Sequence, residues 1–216
     1  MIDVNEQINA VRRQVGSRVL AAGEMRTMAI SQSYHADISD VWDAVTNPDR
    51  IRRWFVPVEG DLRVGGRYQV TGNASGTIET CDPPKGFAAT WEYGEHVSWI
   101  EVTLRPEAPD RTRLELVHIA PGDDEHWATF GPGAVGVGWD MALMGLSRHM
   151  SSAQAVDPAE AAGWVTSGAG RQFMTLSSEH WRDAHIEAGA DKAAAAAAAD
   201  RVIAAYTGGP TDAGAQ

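Results

Sequence analysis

A few side chains in this sequence could exchange protons, and histidines and carboxylates are the first to consider. His118 and His126 lie near the junction of a predicted strand and a predicted helix, and Glu79 and Asp140 are the carboxylates that could reach them. A histidine–carboxylate pair would be the natural proton-transfer couple, and burial of Glu79 would favour its protonated form. The catalytic candidates are therefore His118, Glu79 and Asp140, but the sequence does not show that any two of them meet.

Each candidate also has an interpretation without chemistry. Leu114, Leu116 and His118 alternate along one predicted strand, so they share a face, and that face is the more apolar one. We therefore expect His118 on an inward wall, either as a polar handle for a ligand or as a hydrogen-bonded core histidine. The residue types favour a solvated strand position for Glu79, and for Asn73 a turn that tolerates unusual backbone angles.

Other kinds of site do not fit the sequence. With one cysteine, Cys81, the chain can form neither an intramolecular disulfide nor a thiol cluster for zinc. His180 and His185 miss the i, i+4 spacing of a helical metal site, and Gly136-Val-Gly138 lacks the third glycine of a dinucleotide fingerprint. We therefore predict no metal and no obligatory cofactor.

The overall charge disfavours some classes of binding partner. The formal net charge is −11 and no large basic cluster occurs, which disfavours nucleic acid and anionic membrane surfaces as partners. Residues 1–15 lack the apolar run of a signal peptide, and no window is long and apolar enough to predict a membrane span. These features favour a soluble protein of the cytoplasm.

The first part of the chain alternates between helix and strand signals. Apolar residues at helical spacing predict a short amphipathic helix within residues 1–17, and residues 18–35 are typical of a strand that is interrupted at Gly23. Two short helices should follow. Ser39 can cap the first, and Asn47 can cap the second, which has a proline at its first position.

Residues 60–119 contain consecutive predicted strands separated by turn signals. Because helices gather at the two ends of the chain, this order predicts an α+β fold with an antiparallel sheet. Trp91 belongs to an apolar strand face and is expected in the core or in a pocket wall. The apolar set that contains Ile100 places Trp99 on the opposite face, so either the tail covers Trp99 or the register differs.

The remainder of the chain is mostly helical by pattern. Apolar residues at helical spacing predict a helix over 134–151, whose glycines indicate close packing against another backbone or a soft segment. Residues 152–175 are less regular. Ser177 and Asp191 can cap two further helices, the second of which contains seven consecutive alanines, and residues 210–216 are expected to be frayed.

Several segments together resemble a known family. They are HADISDVWDAVTNPDRIRRWF, GDLRVGGRY, CDPPKGFAATWEY, TRLELVH and GWDMALMGL, and they are similar to the heat-shock-protein-90 ATPase activator homologue-like family of the START-related SRPBCC superfamily. That superfamily also contains polyketide cyclases and the birch pollen allergen. The resemblance covers about residues 18–151. The tail resembles the C-terminal extension of an actinobacterial branch of these proteins.

The resemblance implies a helix-grip fold, in which a curved antiparallel sheet wraps around a long helix and leaves a cavity between them. It divides the chain into an N-terminal helix (1–17), a ligand-binding helix-grip domain (18–151) and a helical extension (152–216). We expect the ligand-binding residues to be Trp54, Tyr68, Asn73, Trp91, Leu116, His118, His126, Trp139 and Leu143.

Three functions are compatible with this fold, because one fold hosts many activities. The first is binding of a small hydrophobic or aromatic molecule, favoured by the many tryptophans. The second is a cyclase, dehydratase or hydrolase that uses a histidine–carboxylate couple. The third is a chaperone-linked or regulatory interaction protein, in which the apolar stripe of the last helix packs on its own domain or on a second subunit of a homodimer.

Overall fold

A computed structural model describes residues 3–20, 23–122, 125–152, 155 and 157–208. The eight strands are β1 (Arg12–Leu20), β2 (Gly23–Tyr34), β3 (Val58–Gly60), β4 (Arg67–Val70), β5 (Ser75–Asp82), β6 (Gly86–Tyr93), β7 (His96–Ala108) and β8 (Arg111–Pro121). The eight helices of the described residues are α1 (Val4–Ala10), α2 (Ile38–Thr46), α3 (Pro48–Ile51), α4 (Glu125–Phe130), α5 (Gly133–Ser152), α6 (Pro158–Val165), α7 (Gly168–Glu187) and α8 (Lys192–Thr207). The expected fraying of residues 210–216 falls outside the described residues.

Within the described residues, the eight strands form one antiparallel sheet in the order β1-β2-β8-β7-β6-β5-β4-β3. Strands from β3 to β8 follow one another as a meander, and the hairpin β1–β2 joins the sheet beside β8. The sheet is curved, and its apolar face packs against α5 through residues such as Leu143 and Leu146. The predicted α+β class, the antiparallel sheet and the helix-grip arrangement are confirmed.

The glycines of α5 mark close approaches to neighbouring elements. A Cβ on Gly145 would collide with the backbone carbonyl of Trp54, and a Cβ on Gly136 would collide with the indole of Trp181. A Cβ on Gly138 would meet no neighbouring element within 4 Å, so this glycine marks no close approach. Close packing therefore explains Gly136 and Gly145, but not Gly138.

The predicted N-terminal helix over residues 1–17 is too long. Helix α1 ends at Ala10, and Arg12 already begins an edge strand that pairs with β2 over its whole length. Val11, Arg13 and Val15 alternate inward with outward-facing residues. The hydrophobic spacing of this segment fits both the helical period and the two-residue period of a strand, and pairing with β2 stabilises the strand.

Two predicted helix caps are confirmed and two are wrong. The side chains of Asn47 and Asp191 accept from backbone N–H groups at the starts of α3 and α8. Asp37, and not Ser39, caps α2, because its carboxylate accepts from two successive amides. Helix α7 begins ten residues earlier than predicted, with Ser167 as its cap, so Ser177 is an interior residue.

The C-terminal helices pack on the rest of the chain. In α8, Ala195, Ala198 and Val202 are buried, and the hydroxyl of Tyr206 donates to the carbonyl of Ala134 in α5 at 3.2 Å. The segment 152–175, predicted to be less regular, contains α6 and the start of α7. Trp99 lies on the sheet face opposite Ile100, as predicted, and is half-buried.

Candidate functional site

A cavity of about 390 Å³ lies between the apolar face of the sheet and helices α2, α3 and α5. On α5 the positions that face it recur at helical spacing: Trp139, Ala142, Leu143 and Leu146. On β6 the lining residues are Phe87, Ala89 and Trp91, which alternate along the strand. The small side chain of Ala89 between two large rings leaves room in the floor of the cavity.

Aromatic rings form much of the wall. The rings of Trp91 and Trp139 are 5.0 Å apart between centroids, and Trp54 contacts Phe55 at 5.6 Å. Trp42 meets Phe87 edge-on at 6.4 Å. The full aromatic set of the wall is Trp42, Trp54, Phe55, Tyr68, Phe87, Trp91 and Trp139. These large, rigid rings suit a site that grips an apolar or aromatic molecule.

No charged side chain lines the cavity within the described part of the chain. Several polar atoms of the wall already have partners in the protein. The Tyr68 hydroxyl donates to the carbonyl of Thr90 at 2.6 Å, and the Trp54 indole donates to the carbonyl of Ala44 at 2.9 Å. Burial raises the pKa of the Tyr68 phenol, so this group stays neutral.

His118 lies behind the aromatic wall and is not a lining residue. Its Nδ1 accepts from the indole N–H of Trp139 at 3.2 Å, so its proton is on Nε2 and is donated to Ser98 Oγ at 3.0 Å. The Ser98 hydroxyl in turn donates to the carbonyl of Trp91 at 2.9 Å. Burial lowers the pKa of His118 to about 4, so the ring is neutral near pH 7.

Asp140 lies on the side of α5 that faces α7 and β1. Its carboxylate accepts two hydrogen bonds from the Arg13 guanidinium, at 2.6 and 2.9 Å. The Ser177 hydroxyl and the Trp181 indole also donate to it, at 2.6 and 2.9 Å. Arg13 completes its own bonding with the carbonyls of Ile8 and Val11. The candidate proton-transfer couple of His118 and Asp140 therefore does not form, because each group is held in a separate network.

Glu79 does not face the cavity. The register between β5 and β6 shifts between Ile78 and Thr80, so Glu79 is the extra residue of a β-bulge and is exposed. The bulge brings both Ile78 and Cys81 to the cavity wall. Glu79 thus has the solvated strand position that its residue type favours, and it is not the half-buried carboxylate that catalysis would require.

Two other predicted ligand contacts lie away from the cavity. Asn73 is an exposed turn residue whose side-chain oxygen accepts from the amide of Ala74 at 2.8 Å. His126 is exposed on α4, where its ring contacts Phe130 at 4.9 Å between centroids. Asn73 thus has the turn role that its residue type favours.

Six of the expected ligand-binding residues do line the cavity: Trp54, Tyr68, Trp91, Leu116, Trp139 and Leu143. Sequence reasoning missed Trp42, Phe55 and Phe87 as wall residues. Phe87 lies on the same predicted strand face as Trp91, and Trp42 lies on the apolar face of the first short helix. Both signals were present, but no sequence pattern distinguishes a filled core from a cavity wall.

The curved antiparallel sheet, the long helix across it and the apolar cavity between them define a helix-grip protein. The model of the "Activator of Hsp90 ATPase homolog 1-like protein" family matches residues 35–151. The chain belongs to this family. No protein of curated function matches the sequence.

Solved structures agree with this assignment. The crystal structure of CalU16 from Micromonospora echinospora is 35% identical, with a TM-score of 0.65, and covers 84% of this chain and 99% of that one. The solution structure of CalU16 gives 34% identity, a TM-score of 0.68 and coverage of 83% and 97%. Residues 1–151 make up less than 84% of the chain, so the likeness continues into the C-terminal helices.

DynU16, described as a protein in the dynemicin biosynthetic locus, has the same fold at lower similarity. It is 20% identical, with a TM-score of 0.51, and covers 60% of this chain and 48% of that one. In the described residues, no helix is long and apolar enough to cross a bilayer. No cluster of three His, Cys, Asp or Glu side chains that could hold a metal ion occurs in that same part.

Proposed function

We propose that the protein binds a small hydrophobic or aromatic molecule in the cavity between the sheet and α5. The observation that carries this proposal is a cavity of about 390 Å³ whose wall is aromatic and aliphatic and contains no charged side chain among the described residues. Cavities of this size and character are typical of small-molecule sites. The family scaffold, which leaves a hollow between sheet and helix, supports the same proposal.

Burial of apolar surface would supply the affinity. A ligand that buries about 300 Å² of apolar surface gains roughly 7 kcal/mol at about 25 cal/mol per Å². Part of this gain offsets the lost translational and rotational freedom of the ligand. The full gain of roughly 7 kcal/mol would correspond to a dissociation constant of about 10 μM, so we expect weaker binding than that for a neutral ligand that lacks specific polar contacts.

The alternative function, acid–base catalysis, depends on a histidine–carboxylate couple, and the candidate residues do not form one. The ring nitrogens of His118 are bonded to Ser98 and Trp139, and the Asp140 carboxylate is bonded to Arg13, Ser177 and Trp181. Glu79 is exposed outside the cavity. Binding, and not acid–base catalysis, is therefore the function that the arrangement of side chains supports.

The proposal can be tested with the neutral fluorescent probe N-phenyl-1-naphthylamine. Its emission should rise on addition of the wild-type protein, because the probe moves from water into an apolar cavity. The variant Ala89→Phe fills the floor of the cavity and should abolish the rise. Ala88→Phe places the same ring on the opposite face of β6, so it is the matched control and should bind like the wild type. No rise with the wild type, or an equal rise with Ala89→Phe, would contradict the proposal.

A further inference from the structure

A second recess, with a volume of about 270 Å³, lies on the face of the sheet that turns away from α5. Side chains of β1, β2, β8 and α7 line it, and they include Arg12, Gln14, Ser31, Arg113, Glu115 and Glu187. We call it the outer recess. It shares no residue with the aromatic cavity.

The strand register explains why the outer recess exists. Arg12 and Glu115 lie directly opposite Ser31 on the two strands that flank β2, so the three side chains share one face of the sheet. Leu116, the neighbour of Glu115, lines the cavity, so this is the other face. Ala29 and Ser31 are small, and a depression therefore remains on β2 between the longer side chains of β1 and β8.

Three charged side chains of the outer recess have no partner in the protein. Arg12, Glu115 and Glu187 form no ion pair and no side-chain hydrogen bond with any described residue. On the same face Arg18 and Glu101 do pair, at 2.7 Å, although β2 and β8 lie between their strands. Only one strand separates Arg12 from Glu115, and these opposite charges nevertheless stay apart around the recess.

A buried hydroxyl belongs to the same recess. Ser31 is 5% exposed, and its Oγ accepts from the Arg113 guanidinium at 2.6 Å. The proton of this hydroxyl is given to no acceptor among the described residues, so it remains available to a ligand. Arg113 also lies 3.6 Å from Glu107, but that carboxylate is shared with Arg111.

The charges around the outer recess balance. Arg13 also lines it, but its charge is paired with Asp140. The remaining charges are two positive and two negative, on Arg12, Arg113, Glu115 and Glu187. A simple anion would meet two carboxylates, and a simple cation would meet two guanidinium groups, which costs free energy in either case. A molecule that carries both charges meets a counter-charge for each of them.

We propose that the outer recess binds a small zwitterion, of the size of an amino acid or a dipeptide. Arg12 and Arg113 bind its carboxylate, and Glu115 and Glu187 bind its ammonium group. This site is separate from the cavity and does not depend on the function proposed for it.

The test compares three compounds that differ only in their terminal charges. Glycylglycine carries both charges, N-acetylglycylglycine keeps only the carboxylate, and glycylglycinamide keeps only the ammonium group below the pKa of its amine. Each is titrated into the full-length protein, and amide proton–nitrogen correlation spectra give the dissociation constant from the shifts of β1, β2 and β8. Glycylglycine should bind about tenfold more tightly than either of the other two.

Two variants assign the charges. Arg12→Gln should bind glycylglycine about tenfold more weakly and should lose much of the preference for it over glycylglycinamide. Glu115→Gln should likewise lose preference over N-acetylglycylglycine. Arg18→Gln and Glu101→Gln are the matched controls, because they remove the same charges from the same face outside the recess, and both should bind glycylglycine like the wild type.

Three results would overturn the proposal. They are the absence of saturable shifts with glycylglycine, equally tight binding of a compound with one charge, and unchanged preferences in both Arg12→Gln and Glu115→Gln. If a variant loses its folded spectrum, the comparison of the three compounds on the wild type decides. N-phenyl-1-naphthylamine should bind to all folded variants alike, so failure of the outer recess is distinguishable from failure of the cavity.

Discussion

At the back of the aromatic wall, His118 holds two tryptophans in place. One ring nitrogen accepts from the Trp139 indole, and the other reaches the carbonyl of Trp91 through Ser98. Protonation would turn the accepting nitrogen into a donor that faces the indole N–H. The neutral ring is therefore the form that fits this network.

This network predicts a specific pH dependence of stability. The pKa of His118 is lowered to about 4 in the folded protein from an ordinary value of 6.5, so the unfolded chain binds the additional proton as the pH falls. The contribution is fully present above about pH 6.5 and is lost as the pH falls toward 4, which amounts to roughly 3 kcal/mol.

Urea denaturation of the wild type and of His118→Gln between pH 7.5 and pH 4 would measure this effect. The difference in unfolding free energy between the two proteins should shrink by roughly that 3 kcal/mol as the pH falls. His180 and His185, whose pKa values are also lowered by burial, contribute equally to both proteins and cancel. Parallel stability curves for the two proteins would show that His118 is not buried in its neutral form.

Asp140 is a second residue whose role is structural. It joins α5 to β1 through Arg13 and to α7 through Ser177 and Trp181, and both members of the ion pair are almost fully buried, at 2% and 1% side-chain exposure. Removal of one partner would leave the Arg13 charge buried and uncompensated. We expect Asp140→Ala to lower the unfolding free energy by about 3–5 kcal/mol.

The exposed pair of Lys85 and Asp82, at 71% and 72% side-chain exposure, is the matched control. Lys85→Ala should change stability by less than about 0.5 kcal/mol, because water screens such a pair. Chemical denaturation of the two variants and of the wild type would measure these changes in unfolding free energy. A loss of about 1 kcal/mol or less in Asp140→Ala would mean that Arg13 finds another partner or reaches solvent.

At the scale of elements, the long helix α5 is fitted to its neighbours by its glycines. Gly145→Ala would drive a Cβ into the carbonyl of Trp54, and overpacking of this kind costs about 1–3 kcal/mol. The gain in helix propensity, about 1 kcal/mol, offsets only part of that cost. We therefore expect a net loss of stability and, because Trp54 lines the cavity, weaker probe binding.

Gly138→Ala is the control on the same helix. Nothing lies near its would-be Cβ, so only the propensity gain remains, and stability should rise by about 0.5–1 kcal/mol. Thermal unfolding followed by circular dichroism would compare the two variants. Equal stabilisation of both would show that α5 can shift away from Trp54 without cost.

Elements with a strong local signal were predictable from the sequence. The order of strands, the helix α5 and the caps Asn47 and Asp191 follow from turn residues, periodicity and side-chain chemistry that act within a few residues. The bulge at Glu79 and the strand β1 were not predictable in this way, because pairing with a neighbouring strand decides them.

The site was predictable to a similar extent. Alternation correctly placed Trp91 and Leu116 on the inner face of the sheet, and helical spacing did the same for Trp139 and Leu143. The partners of Asp140 lie 127 positions before it and 37 and 41 positions after it in the chain, and no local pattern reports such contacts. The residue type of Asp140 alone therefore suggested a catalytic role, and its buried contacts do not support that role.

At the scale of the whole molecule, the C-terminal helices differ in how they depend on the helix-grip core. Helix α7 supplies Ser177 and Trp181 to the buried carboxylate of Asp140, and Trp181 belongs to the main hydrophobic cluster. Helix α8 packs on α4, α5 and α7 from outside. No residue of α6, α7 or α8 is among those that line the cavity in the described structure.

Two truncated chains would separate these contributions. A chain that ends at Ala190 lacks α8, whose buried side chains are mainly alanines and Val202, so it should stay folded with a stability lower by about 2–5 kcal/mol. Since the cavity wall is intact, it should bind N-phenyl-1-naphthylamine like the full chain.

A chain that ends at Ser167 leaves Asp140 without two of its donors and exposes the main cluster, so it should lose both cooperative unfolding and probe binding. Thermal unfolding and probe titration of both chains beside the full-length protein would measure this. Full probe binding by the shorter chain would show that the sheet and α5 form the cavity without α7, and that the contacts of Asp140 with α7 are dispensable for the fold.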